Sequence, residues 1–246
     1  MKRFSNGSFL LSNGKIAGDP QWLSYAKDNI DSMIKKRGIR SAVLIAYAVI
    51  RSDHDQRARE LSEVLGIEVT CIEHFDSEVE AINNAECILV SGGNTWLLNQ
   101  MLHEKGLVVP IQRAVRERNI PYIGWSAGCN VATPTIRTTN DMPVRCSVVM
   151  PSLGLFPVQI NPHYIDATIS GHMGETRDER IAEFCAMNPD EIVVAIREGS
   201  YLYIQGEELR YYSAKNEGFK IFQHGKTFPE QFDTKMLAKW VPFRCL

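Results

Sequence analysis

Ile120-Pro121-Tyr122-Ile123-Gly124-Trp125-Ser126-Ala127-Gly128-Cys129-Asn130-Val131-Ala132 decides how the chain is read. It begins as an apolar, strand-like run, passes through G-x-S-x-G, and continues into residues that start a helix. A serine on so tight a strand-to-helix turn needs small flanking residues, and its hydroxyl is thrust out at the strand's carboxyl end. As a bare pattern G-x-S-x-G is common by chance. The flanking strand and helix raise Ser126 from a turn residue to a nucleophile. The N–H of Ala127, at a helix start, is suited to stabilise an oxyanion.

Upstream, strand and helix alternate. Phe9-Leu10-Leu11 reads as a strand. Asp19-Pro20 offers an N-cap and an N1 proline for a helix running to about Lys36, before Gly38. The apolar run 41–48 is expected of a strand buried on both faces. A helix over 57–65 stops at Gly66, and a strand follows at 67–72. Residues 77–85 read as a short helix, 86–90 as a strand, and 95–104 and 109–118 as helices. This alternation predicts an α/β fold, a mainly parallel sheet with helices on both faces and ligands at the strands' carboxyl ends. A further helix is predicted over 177–187, capped by Thr176. The segments 192–196, 200–205, 209–212 and 219–222 then read as hairpins, a C-terminal antiparallel extension of the same sheet. With no linker or composition shift, residues 1–246 are expected to be a single domain.

Composition sets outer bounds. Of 246 residues, 27 are Lys or Arg and 29 are Asp or Glu, a net charge of −2, and 44% are hydrophobic. Such a chain has enough apolar side chains to bury, which excludes disorder as its main state. A pI near 6.3 without charge runs argues against a nucleic-acid partner. No apolar stretch reaches the ~20 residues of a membrane span. No apolar region follows the basic start, so no signal peptide is expected and a cytoplasmic location is. Cys71, Cys87, Cys129, Cys146, Cys185 and Cys245 are widely spaced, with no CxxC pair. That favours buried reduced thiols over a disulfide framework or a zinc site, and no metal or cofactor is expected.

A second glycine-rich strand end, Ser91-Gly92-Gly93-Asn94, should lie at the same edge of a parallel sheet as Ser126. Gly93 is the candidate second oxyanion donor; the plainer reading is a strand-to-helix turn capped by Asn94. A hydroxyl nucleophile needs a base. Among six histidines, His163 ends the run Val158-Gln159-Ile160-Asn161-Pro162-His163, where Pro162 disfavours helix and starts a loop at a strand end. His172 is the competitor. The base needs an acidic orienter. Asp141, in a polar segment, and Glu198, just after a strand, both qualify, and chain order does not choose between them.

These stretches together resemble the peptidase E family, the α-aspartyl dipeptidases among serine peptidases. The resemblance rests on Gly124 to Asn130, on Thr135-Ile136-Arg137-Thr138-Thr139-Asn140-Asp141-Met142-Pro143, on Gln159-Ile160-Asn161-Pro162-His163 and on Gly174-Glu175-Thr176-Arg177. Val90-Ser91-Gly92-Gly93-Asn94-Thr95 also fits, with Ser91 where the family often has a third glycine. It implies a fold like that of class I glutamine amidotransferases, Ser126 as nucleophile and His163 as base. Asp141 and Glu198 both match positions proposed for the acid. The amidotransferase His-x-Glu is absent, since Tyr164 and Ile165 follow His163.

The implied reaction is hydrolysis of dipeptides with an N-terminal aspartate, through an acyl-enzyme. The substrate's β-carboxylate calls for a planar cation, Arg177 first and Arg137 second. Its α-amine calls for an acceptor, Glu175 or Asp141. A cyanophycinase-like hydrolase of another aspartyl amide and a non-catalytic amidotransferase-like binding protein are the alternatives. Redox sensing by Cys129 is a third.

Overall fold

The apolar runs form a parallel sheet. Its strands are β1 (Ser8–Leu11), β2 (Ser41–Ile45), β3 (Glu68–Cys71), β4 (Ile88–Val90) and β5 (Tyr122–Trp125), side by side in the order β3-β2-β4-β5-β1. Every residue of β1, β4 and β5 is buried, as a strand covered on both faces requires. The computed structural model describes residues 7–145, 149–166, 173–205, 208–235 and 237.

Helices cover both faces. On one lie α1 (Lys27–Arg37) and α2 (His54–Leu65), whose Ile30 and Leu61 pack with Leu44, Ile123 and Trp125. On the other lie α3 (Glu78–Asn84), α4 (Thr95–Glu104), α5 (Val108–Arg116) and α6 (Ala127–Val131), whose Ile82, Leu98, Ile111 and Ala127 pack with Val43 and Val90. The helix predicted from Asp19-Pro20 begins later. Asp19 Oδ1 accepts the Gln21 N–H in a turn, and Leu23 stands at φ 55, which no helix continues through. A 3₁₀ turn at Ser24–Ala26 then leads into α1.

Past α7 (Arg177–Met187) the chain divides between two sheets. β8 (Ser200–Gln205) pairs antiparallel with β1, and β9 (Glu208–Ser213) with β8, which gives the predicted C-terminal extension. The predicted strands around 193 and 220 do not join it. β6 (Gln159–Tyr164), β7 (Val193–Arg197), β10 (Lys220–Gln223) and β11 (Lys226–Thr227) form a separate four-stranded sheet in the order β11-β10-β7-β6. Alternate residues of β7 explain this. Val194 and Ile196 face the main core, while Val193 and Ala195 meet Ile181 and Cys185 of α7. No helix among the described residues is long and apolar enough to cross a membrane.

Candidate active site

Ser126 sits between β5 and α6 at φ 52, ψ −111, a backbone region costly for any residue with a Cβ. Its surroundings hold it there. Ser126 N–H donates to Leu11 O at the end of β1 (3.1 Å), and Cys129 and Asn130 N–H donate to Ser126 O (3.0 Å each). Tyr122 Oη donates to Gly128 O (2.6 Å). Gly128 lies so close to β4 that a Cβ there would be 2.1 Å from Val90 O. Gly128→Ala is therefore expected to cost about 1–3 kcal/mol, the range for overpacking. A thermal melt should fall by several degrees; an unchanged Tm would contradict this packing.

His163 reaches the serine from the other sheet. In β6 and β7, which run parallel, Asn161 pairs with Ala195 and Tyr164 with Arg197, so Pro162 and His163 stand opposite Ile196 alone. This is a β-bulge, and Pro162, lacking an N–H, suits it. His163 takes φ 57, not the extended backbone of its neighbours. The bulge re-aims the ring, so His163 belongs to a strand and not to the loop its proline suggested. His163 Nε2 lies 2.7 Å from Ser126 Oγ. Glu198 follows β7 at the same end of the sheet, and its Oε1 lies 2.5 Å from His163 Nδ1.

The protons on this chain follow from the carboxylate. Burial pushes the Glu198 pKa up, but the hydrogen bond and charge of His163, helped by Asn13, outweigh it and hold the carboxyl below its usual range. An ionised carboxylate only accepts, so Nδ1 carries the ring proton and Nε2 is left to accept from the serine hydroxyl.

The Gly92-Gly93 strand end abuts the serine: a Cβ on Gly92 would lie 2.9 Å from Ser126 Cβ. Gly93 has φ +142, and a Cβ on it would meet Ala48 O at 2.1 Å, so only glycine fits. Asn94 caps α4 by accepting from Leu97 N–H (3.1 Å). Ala127 opens α6, where first-turn N–H groups have no intrahelical acceptor.

Asp141 lies at this strand end and makes no hydrogen bond or ion pair with the His163 ring. Its Oδ2 accepts from Thr95 N–H (2.8 Å) and from Thr139 Oγ1 (3.2 Å), and its carbonyl from Trp96 Nε1 (3.0 Å). The same segment is tied to the histidine strand. Asn140 Nδ2 donates to Pro162 O (2.9 Å), and Asn161 Nδ2 to Asn140 Oδ1 (2.8 Å).

Arg177 opens α7, behind a capping box of Thr176 and Glu179. It is half-buried and makes no ion pair or hydrogen bond among the described residues. Burial and the charge of Arg180 both pull its pKa down. Arg137 is engaged elsewhere, donating to Asn188 Oδ1 (2.6 Å), to Glu191 and to Thr135 Oγ1 (3.1 Å). Among the described residues Glu175 makes only a long contact to Arg180 (3.7 Å). Cys129 is fully buried, and burial pushes its thiol far up, which makes it an inert core thiol. His172, Cys146 and Cys245 lie outside the described residues. Sequence reading passed over Asn13 and Arg57, which belong to no local motif, and gave the Ser91 hydroxyl no task within its motif; only the fold brings Asn13 to Glu198.

A strand-end serine hydrogen-bonded to a histidine, which in turn meets a carboxylate, is an arrangement hydrolases use, and the chain is a peptidase. It belongs to peptidase family S51, whose family model matches residues 8–212. It is 38% identical over 226 residues to Peptidase E of Nostoc sp. (strain PCC 7120), covering 91% of each chain. It is 43% identical over 198 residues to Peptidase E of Salmonella arizonae, covering 79% of this chain and 85% of that one. The crystal structure of a peptidase from an acI-B1 Actinobacterium shares the fold, with a TM-score of 0.60 at 16% identity over 93% of this chain and 98% of that one. These relatives favour neither the cyanophycinase-like alternative nor a non-catalytic binding protein.

Proposed function

We propose that the protein is a serine-type dipeptidase that removes N-terminal aspartate from Asp-Xaa, with residues 1–246 acting as one domain. The observation that carries this reading is the contact chain from Ser126 Oγ through His163 to Glu198, at 2.7 and 2.5 Å. Ser126 Oγ attacks the scissile carbonyl and His163 Nε2 takes its proton. Glu198 keeps the ring oriented and stabilises the imidazolium. The N–H groups of Gly93 and Ala127 hold the oxyanion. Collapse expels the amine, protonated by His163, and leaves an acyl-enzyme that water resolves by the same steps. Asp141 acts at a distance from the base, holding the Gly93 turn through Thr95 and Trp96. Among the described residues, Cys71, Cys87, Cys129 and Cys185 are buried free thiols, which supports work in the reducing cytoplasm.

The aspartate preference is assigned to Arg177. A half-buried guanidinium without a counter-ion among the described residues is met by the substrate's β-carboxylate, whereas Arg137 already has Glu191. Glu175 is the candidate acceptor for the α-amine. A neutral side chain would leave the half-buried Arg177 unpaired and its access to water closed off, so discrimination should be steep. The test is kcat/KM for Asp-Leu and Asn-Leu in wild type and Arg177→Met. Wild type should favour Asp-Leu by about 10³-fold or more, and the variant should lose most of that gap. A variant that keeps the wild-type ratio moves the role to Arg137. Wild type that hydrolyses both equally well defeats the aspartyl assignment.

A further inference from the structure

The peptide joining Gly92 to Gly93 is gripped from the side of α2. Gly92 O accepts from Ser91 Oγ (3.0 Å) and from Arg57 Nη1 (3.3 Å). Arg57 Nη1 also donates to Ser91 Oγ at 2.5 Å. The guanidinium is itself fixed. Its Nη2 donates to Ser52 Oγ (3.3 Å), and its Cζ stands 4.8 Å from the Trp22 ring centroid. Trp22 is anchored in turn, donating from Nε1 to Glu60 Oε2 (2.6 Å) and lying 5.9 Å from Trp125, the neighbour of Ser126. Ser91 is fully buried, so its hydroxyl has nowhere else to turn.

A trans peptide is planar, and its C=O and N–H point in opposite directions. Holding Gly92 O toward Arg57 therefore fixes the Gly93 N–H the opposite way. Three N–H groups nearby are already used: Ser91 donates to Ile45 O (2.9 Å), Asn94 to Ala48 O (2.8 Å) and Thr95 to Asp141, whereas, among the described residues, Gly92 N–H, like that of Gly93, is not. Gly93 N–H has no acceptor among the described residues. Glycines on both sides leave this peptide free to rotate unless something outside the backbone holds it.

We propose that Arg57 and Ser91 are positioning residues for the oxyanion hole, orienting the Gly92–Gly93 peptide so that the Gly93 N–H faces the oxygen that becomes charged. A cation hydrogen-bonded to the carbonyl also polarises the amide, which makes its N–H a stronger donor. The assignment rests on the serine mechanism proposed above. It gives the hydroxyl at position 91 a task that a glycine there could not perform.

Wild type, Ser126→Ala, Arg57→Met, Arg57→Lys and Ser91→Ala are compared on Asp-Leu. Inhibition is measured with free aspartate and with a boronic acid analogue of aspartate that forms a tetrahedral adduct on the serine. Losing a whole oxyanion donor costs roughly 10²–10³-fold in kcat, so a misdirected donor in Arg57→Met should cost about 10–100-fold, with KM within about twofold. The boronate should weaken by a similar factor while aspartate is unaffected. Arg57→Lys and Ser91→Ala, each keeping part of the grip, should fall between. A residue that only supported folding would lower the amount of active enzyme and leave the ratio of the two inhibition constants unchanged. Should Arg57→Met fail to fold, Ser91→Ala carries the same comparison. An unchanged ratio in the folded variants, with Ser126→Ala inactive, overturns this assignment alone. An active Ser126→Ala overturns the serine mechanism and this assignment with it.

Discussion

Ser126→Ala is expected to lower kcat on Asp-Xaa by roughly 10⁴–10⁶-fold while leaving the protein folded. The hydroxyl is the only group lost. Alanine keeps the Cβ that already occupies the φ 52, ψ −111 turn, so the backbone strain is the same in both proteins. The backbone bonds from Leu11, Cys129 and Asn130 to residue 126 do not involve the side chain. What survives should be the small contribution of a bound substrate facing an intact oxyanion hole. The check is steady-state kinetics beside a thermal melt. A folded variant that keeps more than about a hundredth of wild-type kcat removes Ser126 from the chemistry.

Glu198→Gln should have the second largest effect, about 10²–10⁴-fold in kcat, with little change in KM. Glutamine preserves the shape but removes the charge that stabilises an imidazolium. It also no longer forces the proton onto Nδ1, because an amide presents a donor as well as an acceptor. The substitution has a second signature in pH. The folded pKa of Glu198 is depressed, so its contribution to stability is present above its unfolded pKa and is lost as pH falls through the folded value. Wild type should therefore lose more Tm than Glu198→Gln on going from neutral pH into the carboxylate range. Asp141→Asn is the control. If it costs more in kcat than Glu198→Gln, Asp141 takes over the orienting role.

The sequence carried the main sheet and the elbow well, because both are local. A buried parallel strand is a run of apolar residues, and a nucleophile turn is a fixed order of small ones. What it could not carry depends on pairing at a distance. The strands around 193 and 202 look alike as short apolar runs, yet one joins β6 and the other β1. Glu198 and Asp141 were equivalent on paper, since each is a carboxylate in a turn. The parallel register of Tyr164 with Arg197 brings Glu198 to the imidazole, and a helix N-terminus takes Asp141. The bulge at Pro162-His163 had a trace in its proline, which signalled an irregularity but not its hand. Arg57 had no trace at all. It sits in an unremarkable amphipathic helix, and only the neighbourhood of β2 and β4 brings it to Gly92.

The proposed nucleophile and the proposed base belong to different sheets. Ser126 follows a strand flanked by β4 and β1, whereas His163 lies in β6 and Glu198 follows β7. β7 completes its ladder only with β10, at Lys220–Gln223. During synthesis Ser126 thus emerges well before the second sheet has all its strands. On the serine mechanism proposed here, a chain made only as far as β9 already carries Ser126, His163 and Glu198, but β7, the strand that leads into Glu198, still lacks its partner β10.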